Sequence, residues 1–252
     1  MDSVPSFEKE STTNEVAVKI RKDRNQDVLG SIRRARNVQL CFLVDCTCSM
    51  YPHIDTIRTS IGEILKKLID DRAPQAGVDT TRIAQSMELA FVAYRDIGDK
   101  TEVLQFTNAE KFKAFTSGLR AEGGGIDLTK DVFGGLEKAL NLSWSDEYGT
   151  KVIFHICDYP AHGNEYNSGV RDSYPGGDPT GLTARTLFLQ LREKGIQYYF
   201  GKLTNHTDVM IKKFSEEYGE AITVFDVMDV ETIKTAVIDS VSLEVSTSVS
   251  SS

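Results

Sequence analysis

Val38–Met50 reads VQLCFLVDCTCSM. Its first half, Leu40-Cys41-Phe42-Leu43-Val44, is an unbroken apolar run that stops at Asp45, and Thr47 and Ser49 follow at intervals of two. A short apolar run without alternation reads as a strand buried on both faces, and such strands belong to parallel sheets covered by helices. In open α/β sheets, ligands bind in the crevice outside the carboxyl ends of the strands. Spacing by two lets Asp45, Thr47 and Ser49 converge as the chain turns into the next helix. One carboxylate and two hydroxyls are hard donors suited to Mg²⁺ or Mn²⁺, with water completing the shell.

On the carboxyl side the pattern alternates. Residues 51–71 predict a helix with Ile54, Ile57, Ile61, Ile64, Leu65 and Leu68 on its buried face, closed by Asp70-Asp71-Arg72-Ala73-Pro74 and a loop over 75–85. Met87–Tyr94 predicts a second strand, closed by RDIGD (95–99), and Glu102–Phe106 a short strand at the sheet edge. A helix over 108–119 starts on Asn108 as N-cap, and Gly123-Gly124-Gly125 is a flexible loop. A helix over 130–143 turns Val132, Leu136, Ala139 and Leu140 inward. Lys151–Cys157 is another buried strand, ending in Asp158, and a loop rich in Gly, Tyr, Asp and Pro covers 159–180. There follow a helix over 182–194 stopped by Gly195, a strand over 196–203, a helix over 207–218, a strand over 221–225 and a helix over 229–241. Alternation of this kind predicts an α/β fold: a doubly wound, mostly parallel sheet with helices on both faces and one short antiparallel edge strand.

The domain so delimited runs over 37–241. Before it, residues 1–36 form a polar arm. Its first 17 residues are expected to be disordered, and 18–35 to be helical, with Ile20, Val28 and Ile32 as a weak stripe broken at Gly30. A Ser-rich tail, 242–252, is expected to be disordered.

The 252 residues, 40% of them hydrophobic, suffice for one full core. No stretch approaches the ~20 apolar residues of a membrane span, and the N-terminus has no apolar signal core, so a soluble cytoplasmic protein is expected. The cysteines Cys41, Cys46, Cys48 and Cys157 do not form a disulfide framework. Cys41 and Cys157 read as buried thiols. The net charge is −8, yet residues 19–36 hold seven basic side chains against Asp23 and Asp27. The body is therefore acidic, which argues against a general nucleic-acid binder. The basic arm reads as solvated or packed on the body.

Further stretches sharpen the reading: FVAYRDIGD (91–99), FTSGL (115–119), GGGIDLTKDVFGGLEKAL (123–140), HICDYPAHG (155–163), YPGGDPTGLT (174–183) and LREKGIQYYFGKLT (191–204). Together with VDCTCSM (44–50), they make residues 37–240 resemble a von Willebrand factor type A domain. The likeness is to the intracellular branch associated with alpha-type protein kinases. The Asp-x-Thr-x-Ser triplet resembles that family's metal-ion-dependent adhesion site. No kinase catalytic domain is expected in this length of chain. The resemblance implies a divalent cation, Mg²⁺ or Mn²⁺, held by Asp45, Thr47, Ser49 and Asp158 with one residue from the loop before a later helix. An open coordination position would accept a carboxylate from a partner protein.

Two positions depart from the family pattern. Cys48 stands where the intracellular branch usually has Gly. Lys130 falls where the loop ligand is Thr or Glu, and an ammonium a few ångströms from a divalent cation is repelled by several kcal/mol. Either Lys130 swings outward and Asp127, Thr129 or Asp131 serves instead, or the ammonium itself takes the cation's place. Asp127 is the substitute ligand carried forward.

Blander readings stand beside these. Asp45 and Asp158 could cap loops or helices by accepting backbone N–H groups, and Thr47 and Ser49 could be turn residues. Gly123–Gly125 lacks the Gly-x4-Gly-Lys-Ser/Thr signature of a phosphate loop and reads as a hinge. His162 reads as a surface-loop histidine rather than a ligand. Cys46, Cys48 and Cys157 could meet at adjacent strand ends, but zinc thiolate sites want four ligands.

No nucleophile–base pair accompanies the oxygen donors, so a non-enzymatic interaction module binding an acidic partner residue is the leading expectation. The alternatives are a metal-independent scaffold with a degenerate site, and a phosphohydrolase using Asp45 as nucleophile and Lys130 as charge stabiliser. The last lacks the usual second Asp, replaced by Thr47, and a general acid.

Overall fold

The computed structural model describes residues 7–69 and 83–250. The expected helix stop at Asp70–Pro74, most of the loop after it, and the chain's outermost residues lie outside that range.

Helix α1 (Phe7–Ala35) leads into β1 (Asn37–Asp45), a 3-10 turn (Cys48–Met50) and α2 (Tyr51–Ile69). Then come β2 (Ser86–Tyr94), β3 (Glu102–Thr107), α3 (Ala109–Ser117), α4 (Val132–Leu140) and β4 (Thr150–Cys157). The chain continues with α5 (Ala184–Glu193), β5 (Gln197–Lys202), α6 (Asp208–Tyr218), β6 (Thr223–Asp226) and α7 (Val230–Ser250). The six strands lie in the order β3-β2-β1-β4-β5-β6. All neighbours are parallel except β3, which pairs antiparallel with β2 at the edge. This is the doubly wound α/β sheet that the sequence predicts.

The period-two geometry of β1 explains why its apolar run is continuous. Leu40, Phe42 and Val44 face one core, with Ile57, Ile61 and Ile64 of α2, Phe112 of α3 and Val237 and Val241 of α7. Cys41 and Leu43 face the other, with Leu136 of α4, Leu187 and Phe188 of α5 and Phe214 of α6. Each face needs its own apolar residues, so alternation disappears. The helical stripe read from α2 holds for Ile54, Ile57, Ile61, Ile64 and Leu65, all buried, while the side chain of Leu68 lies outside those described. Asn108 caps α3, accepting the Lys111 N–H at 3.0 Å. Gly195 leaves α5 with φ +62°, a left-handed turn that glycine adopts without strain.

The second core encloses His155, fully buried between two tyrosines. Its Nε2 is 2.7 Å from the Tyr94 hydroxyl and its Nδ1 2.5 Å from that of Tyr198.

Three expectations are corrected. The arm is helical from Phe7 rather than disordered over its first 17 residues, because Glu8–Lys22 contains no Gly or Pro and several good helix formers. Nor does Gly30 break α1; no atom approaches its Cβ position, so it costs only intrinsic propensity. Of the stripe on α1, Ile20 and Val28 are exposed and Ile32 is half-buried; among the described residues the helix docks at its end, where the Ala35 carbonyl accepts the Thr150 hydroxyl at 2.7 Å. The tail from residue 242 does not fray; α7 continues through Ser250, with Val245 buried in the first core. Ser and Thr there return their hydroxyls to carbonyls one turn back, as Ser246 does to Ser242 at 2.8 Å.

Burial depresses the His155 pKa to about 3. The unfolded chain, with an ordinary histidine near 6.5, binds the proton first as pH falls. Stability from this group is therefore present above about pH 6.5 and lost progressively towards pH 3. In urea unfolding between pH 7 and 4, His155→Gln should remove an acid slope of about 1.4 kcal/mol per pH unit relative to the parent chain. It should also lower stability at pH 7 by about 1–3 kcal/mol through the unpaired tyrosine hydroxyls.

Candidate functional site

The sheet order reverses around β1, whose neighbours are β2 on one side and β4 on the other. Val44 pairs with Ile156, so β1 and β4 end side by side, with Asp45 closing one and Asp158 following the other. Both carboxylates thus open on one crevice at the carboxyl edge. Asp45 is completely buried, Thr47 and Asp158 nearly so.

After Asp45 the chain turns tightly. The Thr47 N–H donates to Asp45 Oδ1 at 2.8 Å. Thr47 Oγ1 lies 3.0 Å from Ser49 Oγ, and Ser49 Oγ donates to Asp158 Oδ1 at 3.2 Å. The four predicted ligands therefore form one chain of contacts. Asp45 Oδ2 is buried and has no hydrogen-bond partner. Burial, and then the charge of Asp158, push the Asp45 pKa well above the ordinary carboxylate range; Lys130 and the Thr47 N–H pull the other way without prevailing. An orphaned, destabilised carboxylate oxygen beside two hydroxyls and a second carboxylate suits a divalent cation.

Lys130 does not swing outward. It is 3% exposed, and its Nζ sits 5.5 Å from the Tyr159 ring centroid. Its N–H donates to the Pro160 carbonyl at 2.9 Å, which draws it against the β4 loop. The proposed substitutes are engaged elsewhere. Asp131 caps α4, accepting the Gly134 N–H at 2.9 Å. Thr129 Oγ1 is 2.8 Å from His162 Nδ1. Asp127 Oδ2 accepts the Ser173 N–H at 2.6 Å, and its Oδ1 is buried without a partner.

Asp127 instead belongs to a second cluster. Ligand-type atoms of Asp96, Asp127 and His162 lie within 4.8 Å of one another, and all three residues are buried. His162 is 1% exposed, so its reading as a surface-loop histidine is overturned. Its Nε2 is 2.7 Å from Asp96 Oδ1 and its Nδ1 2.7 Å from Asp172 Oδ1. Burial works against the imidazolium, but the two carboxylates outweigh it and raise the His162 pKa. Asp96 and Asp172 escaped the sequence reading. Asp96 carries a weak signal, since it closes β2 as Asp158 closes β4.

The glycines of 123–125 form neither a hinge nor a phosphate cradle. A Cβ on Gly124 would lie 2.9 Å from Thr47 Cβ, and one on Gly125 2.2 Å from Asp96 Oδ2, both at positive φ. Glycine is what lets this loop pass between the two clusters. The cysteine grouping also dissolves: Cys46 lies in the first core, Cys157 in the second across the sheet, and Cys48 is exposed.

No family model matches the chain. It is 35% identical over 233 residues to the alpha-protein kinase vwkA of Dictyostelium discoideum, an alignment covering 86% of this chain and 35% of that one. The chain thus spans about a third of the length of that relative. Among solved structures, the pilus adhesin SpaC of Lactobacillus rhamnosus GG superposes with a TM-score of 0.55 at 13% identity, over 84% of this chain and 30% of the adhesin. Proximal thread matrix protein 1 of the mussel byssus gives 0.54 at 14% identity, over 83% and 46%. The same protein with a zinc-occupied MIDAS motif gives 0.52 over the same shares, again at 14% identity. At such identities these structures share the fold.

Asp45→Asn should keep the acceptor for the Thr47 N–H while removing the orphaned charge. In EDTA its melting temperature is expected to equal or exceed that of the parent chain by up to about 4 °C. A loss of more than about 1 kcal/mol in urea would show instead that attraction to Lys130 dominates.

Proposed function

We propose that this chain is a non-catalytic interaction module of the von Willebrand factor A type, working through a metal-ion-dependent adhesion site. Asp45, Thr47, Ser49 and Asp158 would hold a divalent cation, Mg²⁺ or Mn²⁺, without a ligand from the 127–131 loop, because the Lys130 ammonium is drawn over the Tyr159 ring and pairs with neither carboxylate. The unpartnered Asp45 Oδ2, buried at the end of the contact chain from Thr47 to Asp158, is the observation that carries the reading. The bound cation supplies an electrophilic position for a carboxylate oxygen of a partner protein. The chain's own residues do the rest. The Thr47 N–H fixes the Asp45 rotamer. Ser49 ties the β1 turn to Asp158.

The rim of the crevice suits a protein partner. Tyr51, just past Ser49, and Ile126, just past the glycines, are each 76% exposed, and Leu128 is 39% exposed. Apolar and aromatic groups around a charged centre are what an interface hot spot requires. No described helix is long and apolar enough to cross a membrane. The kinase name of the Dictyostelium relative supports a role beside phosphotransfer machinery, with the module acting as its recognition element.

A second reading rests on Lys130. It is buried beside Tyr159 and its charge pulls the Asp45 pKa down without an ion pair to Asp45 or Asp158, so it supplies part of a cation's charge from a distance. In that case the module recognises its partner without metal.

Calorimetric titration with Mg²⁺ and Mn²⁺ tests the first reading. Binding is expected in the parent chain and absent in Asp45→Ala. Lys130→Glu, which replaces a repelled cation by a ligand, should tighten it at least about tenfold. Capture of partner proteins with and without EDTA separates the readings: loss on chelation supports the metal site, and capture indifferent to chelator supports the ammonium.

A further inference from the structure

We propose that Asp96, Asp127 and His162 form a second metal site, separate from the Asp45 centre and suited to a divalent transition ion such as Zn²⁺. Its donors are one imidazole nitrogen and two carboxylates, a borderline set that favours Zn²⁺ over Mg²⁺.

Four observations carry it. The three donor atoms already lie within 4.8 Å of one another. An ion about 2.1 Å from each needs them within roughly 4 Å, so closure requires a shift of less than about 1 Å. Asp127 is 6% exposed, and with Oδ2 committed to the Ser173 N–H, its Oδ1 is left buried with nothing to bind. A buried carboxylate oxygen without a donor demands an explanation, and a cation is the simplest. Asp172 holds His162 by Nδ1 at 2.7 Å, leaving Nε2 turned to Asp96. That is the carboxylate–histidine–metal arrangement, in which the outer carboxylate fixes the ring while the far nitrogen coordinates. Asp172 is itself anchored by the N–H groups of Gly163 at 2.7 Å and Tyr174 at 2.8 Å. Finally, the Gly125 backbone passes so close that any Cβ would lie 2.2 Å from Asp96 Oδ2, so glycine is what lets the loop close over this carboxylate.

Without a cation, His162 bridges Asp96 and Asp172 as a doubly hydrogen-bonded clamp. On binding, Nε2 would release its proton to solvent and offer its lone pair to the ion, and Asp127 Oδ1 would gain its partner. Gly124 abuts Thr47 and Gly125 abuts Asp96, so the second ion would stiffen the loop that also walls the first centre.

The full chain, stripped with EDTA and dialysed, is titrated with Zn²⁺, and bound metal is counted by mass spectrometry after equilibrium dialysis. The parent chain and Asp45→Asn should both bind Zn²⁺ at this site with the same affinity, even though Asp45→Asn loses the Mg²⁺ or Mn²⁺ response. Asp127→Asn should weaken this Zn²⁺ binding at least about tenfold while leaving the Mn²⁺ response intact. Failure of the two sites is thus distinguishable. Cobalt substitution in the parent chain provides a measurement that needs no variant. Visible bands of nitrogen and oxygen ligation without a thiolate charge-transfer band are expected, and a thiolate band would assign the ion to Cys48. Absence of Zn²⁺ binding in Asp45→Asn, or equal Zn²⁺ affinity in Asp45→Asn with and without Asp127→Asn, overturns the proposal in favour of a metal-free histidine clamp.

Discussion

Two carboxylates end neighbouring parallel strands and are taken out of water together. Asp45 and Asp158 close β1 and follow β4 at the point where the sheet order reverses, and both are buried. Desolvation, and then the neighbouring charge of Asp158, raises the cost of ionising Asp45. The loops above them are built around this constraint. Backbone N–H groups and hydroxyls reach one oxygen of Asp45 and one of Asp158, and the second oxygen of Asp45 remains unserved. A buried polar group left in this state signals function more than stability.

The loop over 119–131 supplies the wall between this centre and its neighbour. It is stitched to β1 by the Glu122 N–H to the Cys46 carbonyl at 2.9 Å and the Cys48 N–H to the Gly123 carbonyl at 3.1 Å. The Asp131 N–H reaches the Arg95 carbonyl at 3.0 Å beyond β2. Arg95 is itself buried and pairs with Glu102 at 2.9 Å while donating to the Lys100 and Arg120 carbonyls. The ends of three strands are therefore bound into one unit by a loop that only glycine can thread. Lys130 is carried in by the same loop, pinned through its backbone to Pro160, which is why its ammonium stays inside.

Much of this was legible along the chain. Strand ends, helix faces and the Asp-x-Thr-x-Ser spacing are local patterns, and the oxygen donors they place do converge. His162 reads as a surface residue in sequence because its burial depends on distant partners: Asp96 lies 66 residues away, on another strand end. No periodicity marks a residue inside an irregular loop, so a histidine among Gly, Asn and Tyr looks solvated. The arm and tail differ from expectation for the opposite reason. Their polar composition suggested disorder, but α7 needs only Ile233, Ala236, Val237, Val241 and Val245 on one face to stay packed, and its serines bond within the helix.

The sequence alone determined the alternation of strands and helices, the two-sided burial of β1, and the gathering of hydroxyls behind Asp45, because each follows from residue period and spacing. The tertiary structure alone decided that Lys130 is held inside, that Asp127 turns away to Asp96 and His162, and that the triple glycine separates two charged clusters. Those outcomes depend on which loops meet above the sheet edge, and contact between segments tens of residues apart leaves no trace in local pattern.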